Sequence, residues 1–193
     1  MENILEAIGE VPMMMPKVPS PAVVPARVPV DLSEWAGRHG LACLALEAAT
    51  ETGTRAFAGL FEGDQAGRTR ANTILALLTY CYGAGIYASD EIELRALNDP
   101  MVRYLAGQSQ PGWCRLRAFR RQWRGTIRES LARLLTLAWS RRRHSGEGEP
   151  LAIAFLAARQ IRDLEPSAAK CWDAEAERRL GQAVLLDSMF ADD

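Results

Sequence analysis

From Asp31 onward, apolar positions recur every three or four residues, and no run of β-branched residues alternates as a strand would. The fold class this predicts is all-α. Asp31 is placed to cap a short helix that ends at Gly37. A second helix over Arg38 to Thr50, "RHGLACLALEAAT", carries Leu41, Leu44, Ala45 and Ala48 at helical spacing. Gly53 to Arg70 is punctuated by glycine and reads as loop-rich. Thr73 to Tyr82 reads as a buried helix, with Ile74, Leu75, Leu77, Leu78 and Cys81 on one broad face, broken at Gly83 and Gly85. Ser89 is the expected N-cap of the next helix, with Asp90 and Glu91 in a first turn that favours negative charge. That helix ends near Asn98. Asp99-Pro100 then supplies a second cap and a proline at the first helical position, for a short helix to about Ala106.

Beyond the turn at Pro111-Gly112, one long helix is expected. Leu116, Phe119, Trp123, Ile127, Leu131, Leu134 and Ala138 advance by three or four and form a packing stripe. At about 100° per residue, Arg117, Arg120, Arg121, Arg124 and Arg128 fall on an adjoining arc roughly 100° wide. Leu151 to Leu164 and Ser167 to Phe190 read as two further helices, divided by Glu165-Pro166. The first thirty residues are unlike the rest. Six prolines (Pro12, Pro16, Pro19, Pro21, Pro25 and Pro29) each remove a backbone donor, which predicts an extended or disordered arm. The chain therefore divides into a Pro-rich arm (1–30), a helical domain (31–143) and an acidic helical extension (144–193).

Charge changes this picture. The net charge is −1, yet Arg115 to Arg143 holds ten arginines against Glu129 alone, while the last fifty residues hold ten acids against five bases. Ten arginines without a lysine suit planar, bidentate recognition of phosphate or carboxylate. The competing reading is a solvated face, or arginines paired with the acidic C-terminal region.

Other chemistry finds little support. Cys43, Cys81, Cys114 and Cys171 stand singly and only His39 and His144 accompany them, so buried reduced thiols in a cytosolic protein are expected rather than a metal site. Gly83-x-Gly85 has no third glycine at the right spacing and no Walker lysine, and reads as a turn between helices. Asp90, Glu91 and Glu93 read as a solvated helix start rather than a magnesium site. No nucleophile pair, cofactor motif, secretory signal or membrane span is legible, so the expectation is a cytoplasmic protein that is not an enzyme, with no cofactor and no small-molecule substrate.

Three stretches in order, "ILALLTYCYGAGIYASDEIE", "LNDPMVRYLAGQSQPG" and "FRRQW", resemble the N-terminal helical domain of DDE-type bacterial insertion-sequence transposases. "VPVDLSEWAGRHGLACLALEA" resembles the segment before them. The resemblance covers about two thirds of the chain and implies a helix-turn-helix-like core over Thr73 to Ala138 that docks on DNA. Ala88-Ser89-Asp90 stands where the family has a Ser-Ser-Arg element, and "PGWCRL" where it has a Pro-Asp-His-x-Thr-Ile turn. DDE chemistry needs three carboxylates gathered on an RNase-H-like sheet around two metal ions. The fifty residues after Arg143 read as helices. The expectation is a non-catalytic, transposase-derived DNA-binding protein, with Arg115, Arg117, Arg120, Arg121, Arg124 and Arg128 on duplex phosphates. A homodimer or a partner transposase would be its further partners. The alternatives are a helical module for acidic protein surfaces, or a truncated transposase fragment.

Overall fold

A computed structural model describes residues 27–107, 110–144 and 166–189, and all the regular structure among them is helical. Eight helices follow in order: α1 (Ser33–Ala36), α2 (Arg38–Ala56), α3 (Gln65–Gly83), α4 (Ser89–Asn98), α5 (Pro100–Ala106), α6 (Trp113–Gln122), α7 (Arg124–His144) and α8 (Pro166–Met189). The arm up to residue 26, and the helix expected over Leu151 to Leu164, lie outside the described residues.

Helices α2, α3 and α7 pack on one another, and α8 lies along α7. Their shared core is built from Leu41, Leu44, Leu75, Leu77, Leu78, Leu131, Leu134 and Leu137, with Trp172, Ala176, Leu180 and Ala183 entering it from α8. The acidic C-terminal helix thus belongs to the same core as the helices before it. A buried hydroxyl pair, Thr79 Oγ1 and Ser130 Oγ at 2.8 Å, joins α3 to α7, where a lone hydroxyl would be costly.

Asp31 accepts a hydrogen bond from the Ser33 N–H at the start of α1, and Asp64 accepts one from Gly67 at the start of α3. Asp99 caps α5, accepting from Met101 and Val102 N–H ahead of Pro100 at the first helical position. Asp99→Ala is expected to lower stability by about 1 kcal/mol, read as the shift of a urea midpoint.

The stretch from Gly53 to Arg70 departs from the sequence expectation, while the turn at Gly83-x-Gly85 falls where it was expected. The glycines of Gly53 to Arg70 do not make a long loop, since α2 runs to Ala56 and α3 starts at Gln65. At Gly53 a Cβ would sit 1.9 Å from Asn72 Oδ1, so this glycine marks the crossing of α2 over α3. Gly83-x-Gly85 is the end of a helix. Gly85 (φ +78°) takes the left-handed position, while Ile86 N–H bonds Cys81 C=O and Gly85 N–H bonds Tyr82 C=O, the paired bonds of a Schellman motif.

The long arginine helix is two helices. It breaks at Trp123 (φ −115°, ψ 30°), ahead of Arg124-Gly125. Trp123 N–H still bonds Phe119 C=O, and Ile127 N–H still bonds Trp123 C=O. The four-residue ladder therefore holds on both sides, which is why the apolar rhythm runs through the break unaltered. The Trp123 ring meets Phe57 edge-on at 5.0 Å and tilts against Phe119 at 6.3 Å, anchoring the kink to the end of α2.

Candidate nucleic-acid interface

The expected arginine arc is divided by the fold into an inward and an outward set. Arg120 turns inward and is only 4% exposed. Its guanidinium pairs with Asp187 of α8, donates to Tyr82 Oη at 3.0 Å and lies 3.4 Å from Ser89 Oγ. Arg117 is largely covered. Its Nε lies 3.2 Å from the same Asp187 oxygen without hydrogen-bond alignment, and its guanidinium sits 4.6 Å over the Trp113 ring. These two arginines are occupied within the protein. The expectation that five guanidinium groups face outward from one helix is corrected accordingly: a residue beside the packing stripe is buried when a facing helix supplies its counter-charge.

Asp187 supplies it. Its Oδ1 accepts the Ser89 N–H at 2.8 Å and its Oδ2 accepts the Ser89 hydroxyl at 2.7 Å. Ser89 was the expected N-cap of α4, but it is the first residue of that helix, and its hydroxyl donates to Asp187 instead. The carboxylate does the capping, from 98 residues away. Burial raises the Asp187 pKa, but the Ser89 amide, Arg120 and the Ser89 hydroxyl outweigh it and hold the carboxyl below its ordinary range. Burial also pushes Tyr82 up to about 12, against the pull of Arg120.

The outward set is Arg115, Arg121, Arg124 and Arg128, all exposed. Arg121, Arg124 and Arg128 step by three and four across the α6–α7 junction. Gly125 between them leaves open space around the first turn of α7, whose leading amides precede the helix's own ladder. Arg124 pairs with Glu177 of α8. Arg115, Arg121 and Arg128 make no ion pair among the described residues. Elsewhere along α7, Arg133 pairs with Glu51, Glu129 pairs with Arg55, and Arg141 and Arg143 also have partners.

No family model, curated protein or solved structure matches this chain.

The remaining candidates are quickly placed. Glu91 pairs with Arg95 one turn on, Asp90 accepts the next amide, and Glu93 accepts the Trp113 N–H at the start of α6. Among the described residues no three His, Cys, Asp or Glu side chains form a metal-holding group, and no helix is long and apolar enough to cross a membrane. The thiols are free, but only Cys81 is buried, while Cys114 and Cys171 are exposed, contrary to the expectation of buried cysteines.

Two residues escaped the sequence reading, Asp187 and Arg179. Both lie on the apolar rhythm of α8, Trp172, Ala176, Leu180 and Ala183. A charge on a packing stripe is the signal that would have found them.

Proposed function

We propose that the chain is a non-catalytic DNA-binding protein of transposase descent that docks on duplex DNA through Arg115, Arg121, Arg124 and Arg128. The observation that carries this reading is the division of the arginines. Arg120, buried against Asp187, fixes the α6–α7 junction, and the outward guanidinium groups are displayed from that fixed junction. Arginines held in this way suit bidentate contacts to phosphate oxygens, which position a duplex without reading its sequence. The resemblance of the stretches between Ile74 and Trp123 to transposase N-terminal domains is what suggests the partner.

Salt titration of binding to a short mixed-sequence duplex tests it. Four phosphate contacts give a log–log slope of roughly 3 to 4, and each arginine removed lowers it by about 1. The combined Arg115→Ala, Arg121→Ala, Arg128→Ala variant is expected to lose most of the affinity at low salt while melting as the parent does. No duplex binding at low ionic strength rejects the reading.

A second reading, a helical interaction module, has its own observation. Leu94, Leu97 and Tyr104 stand more than half exposed on α4 and α5. Binding of acidic proteins without binding of duplex would favour it.

A further inference from the structure

Two carboxylates of α8 reach the arginines of α6 and α7, and they are held very differently. The Asp187–Arg120 pair is 6% and 5% exposed, whereas Glu177 and Arg124 are 45% and 46% exposed. We propose that Glu177 is a built-in anionic competitor on the duplex-facing arginine row, occupying Arg124 until a backbone phosphate displaces it. The inference rests on the duplex-docking reading and adds its regulation.

Helix α8 cannot leave to make room. Trp172, Ala176, Leu180 and Ala183 are buried in the common core, and Arg179 is wholly enclosed. What can move is the Glu177 side chain. A pair this exposed is worth only about 0–1 kcal/mol, so a phosphate that binds the guanidinium bidentately can replace the carboxylate. Asp173, also exposed, lies one turn before Glu177 on the same side of α8. The two acids form a negative rail along this side of α8, and Glu177 is the one of them that pairs with an arginine. A lone anion gains only that one exchange at Arg124, which is close to neutral in free energy. A duplex engages Arg121 and Arg128, which step with Arg124 along one side of the α6–α7 junction, at the same time and so carries the exchange forward. The rail thus raises the threshold for binding and biases the surface toward dense polyphosphate.

The test compares parent, Glu177→Gln and Glu129→Gln proteins in fluorescence titrations with a labelled mixed-sequence duplex over a range of salt. Glu129→Gln removes the same unit of charge from α7, but from an exposed pair with Arg55 of α2. Glu177→Gln is expected to bind roughly two- to five-fold tighter, the change equivalent to one surface pair, and its salt slope should steepen by up to about 0.9. Glu129→Gln should gain less, and the gain from Glu177→Gln should vanish when Arg124 is alanine. Equal tightening by both substitutions, or a gain that survives Arg124→Ala, overturns the competitor while leaving duplex docking intact. Failure of all these proteins to bind duplex at low salt overturns both.

Discussion

Replacing Asp187 by asparagine is expected to destabilise the protein by about 3–5 kcal/mol at neutral pH, the range for breaking a buried pair by removing one partner. Asparagine keeps the shape and can still accept from Ser89. It cannot balance Arg120, which would keep a buried charge facing Tyr82 Oη and Ser89 Oγ. Arg117 would lose its nearest carboxylate at the same time. Urea denaturation followed by circular dichroism measures the effect. Pairing Asp187→Asn with Arg120→Met isolates the interaction: the double variant should be more stable than the sum of the singles by about 1–3 kcal/mol, because neither charge is then stranded. A strictly additive result would mean that the pair contributes nothing to stability.

The same contact contributes to the acid limb of stability. Asp187 has its carboxyl pKa held below the ordinary range in the folded state, as do Asp99 and Glu175. Between the folded and unfolded values the unfolded chain binds more protons, so stability rises with pH across that window. The contribution is complete above the unfolded pKa, near 3.9 for aspartate, and is lost as pH falls through the folded value. Asp187→Asn should therefore flatten the acid limb as well as lower the plateau. Tyr82 acts in the opposite sense. Burial raises it to about 12, so its contribution is complete below the unfolded value near 10 and is lost as pH climbs toward 12.

Much of the fold was legible because helix rhythm and cap chemistry are local. Asp31, Asp99 and the Gly83-x-Gly85 turn act where spacing placed them, and the stripe from Leu116 to Ala138 is buried apart from a half-buried Trp123. The break at Trp123 was hidden because its hydrogen-bond ladder keeps a four-residue period on both sides. The fate of the arginines was hidden for another reason. Whether Arg120 faces water or a carboxylate depends on a residue 67 positions further on. Rotation about one helix axis sorts side chains into arcs, but only a neighbouring helix decides which arc is covered. Charged residues on the packing stripe of α8 carried that information, and only pairing two helices could release it.

The second large effect is expected at Arg179, where truncation to alanine should cost about 3 kcal/mol or more. It removes several buried charge-assisted hydrogen bonds worth about 1.5–3 kcal/mol each, although Glu175 keeps Arg178. The side chain is fully buried and uses all three nitrogens. Nε bonds Glu175 at 2.8 Å, Nη1 bonds the carbonyls of Val30 and Tyr82 at 2.8 Å and of Gly83 at 3.2 Å, and Nη2 bonds the Pro29 carbonyl. Tyr82 and Gly83 end α3, where carbonyls lack intrahelical partners and the helix dipole favours a cation. One guanidinium therefore caps α3 and ties down the chain entering α1, whose Leu32 N–H bonds the same Gly83 carbonyl. Arg179→Lys keeps the charge but not the planar fork. It should recover only part of the loss, because an ammonium has three donors for carbonyls and a carboxylate set around a plane. Hydrogen exchange locates the damage: in Arg179→Lys the amides of Leu32 and Ile86 should exchange faster, while those of α5, held by Asp99, stay protected. Uniform acceleration across all helices would show that Arg179 supports the fold as a whole and is not a local clasp between α8, the end of α3 and residues 29–30.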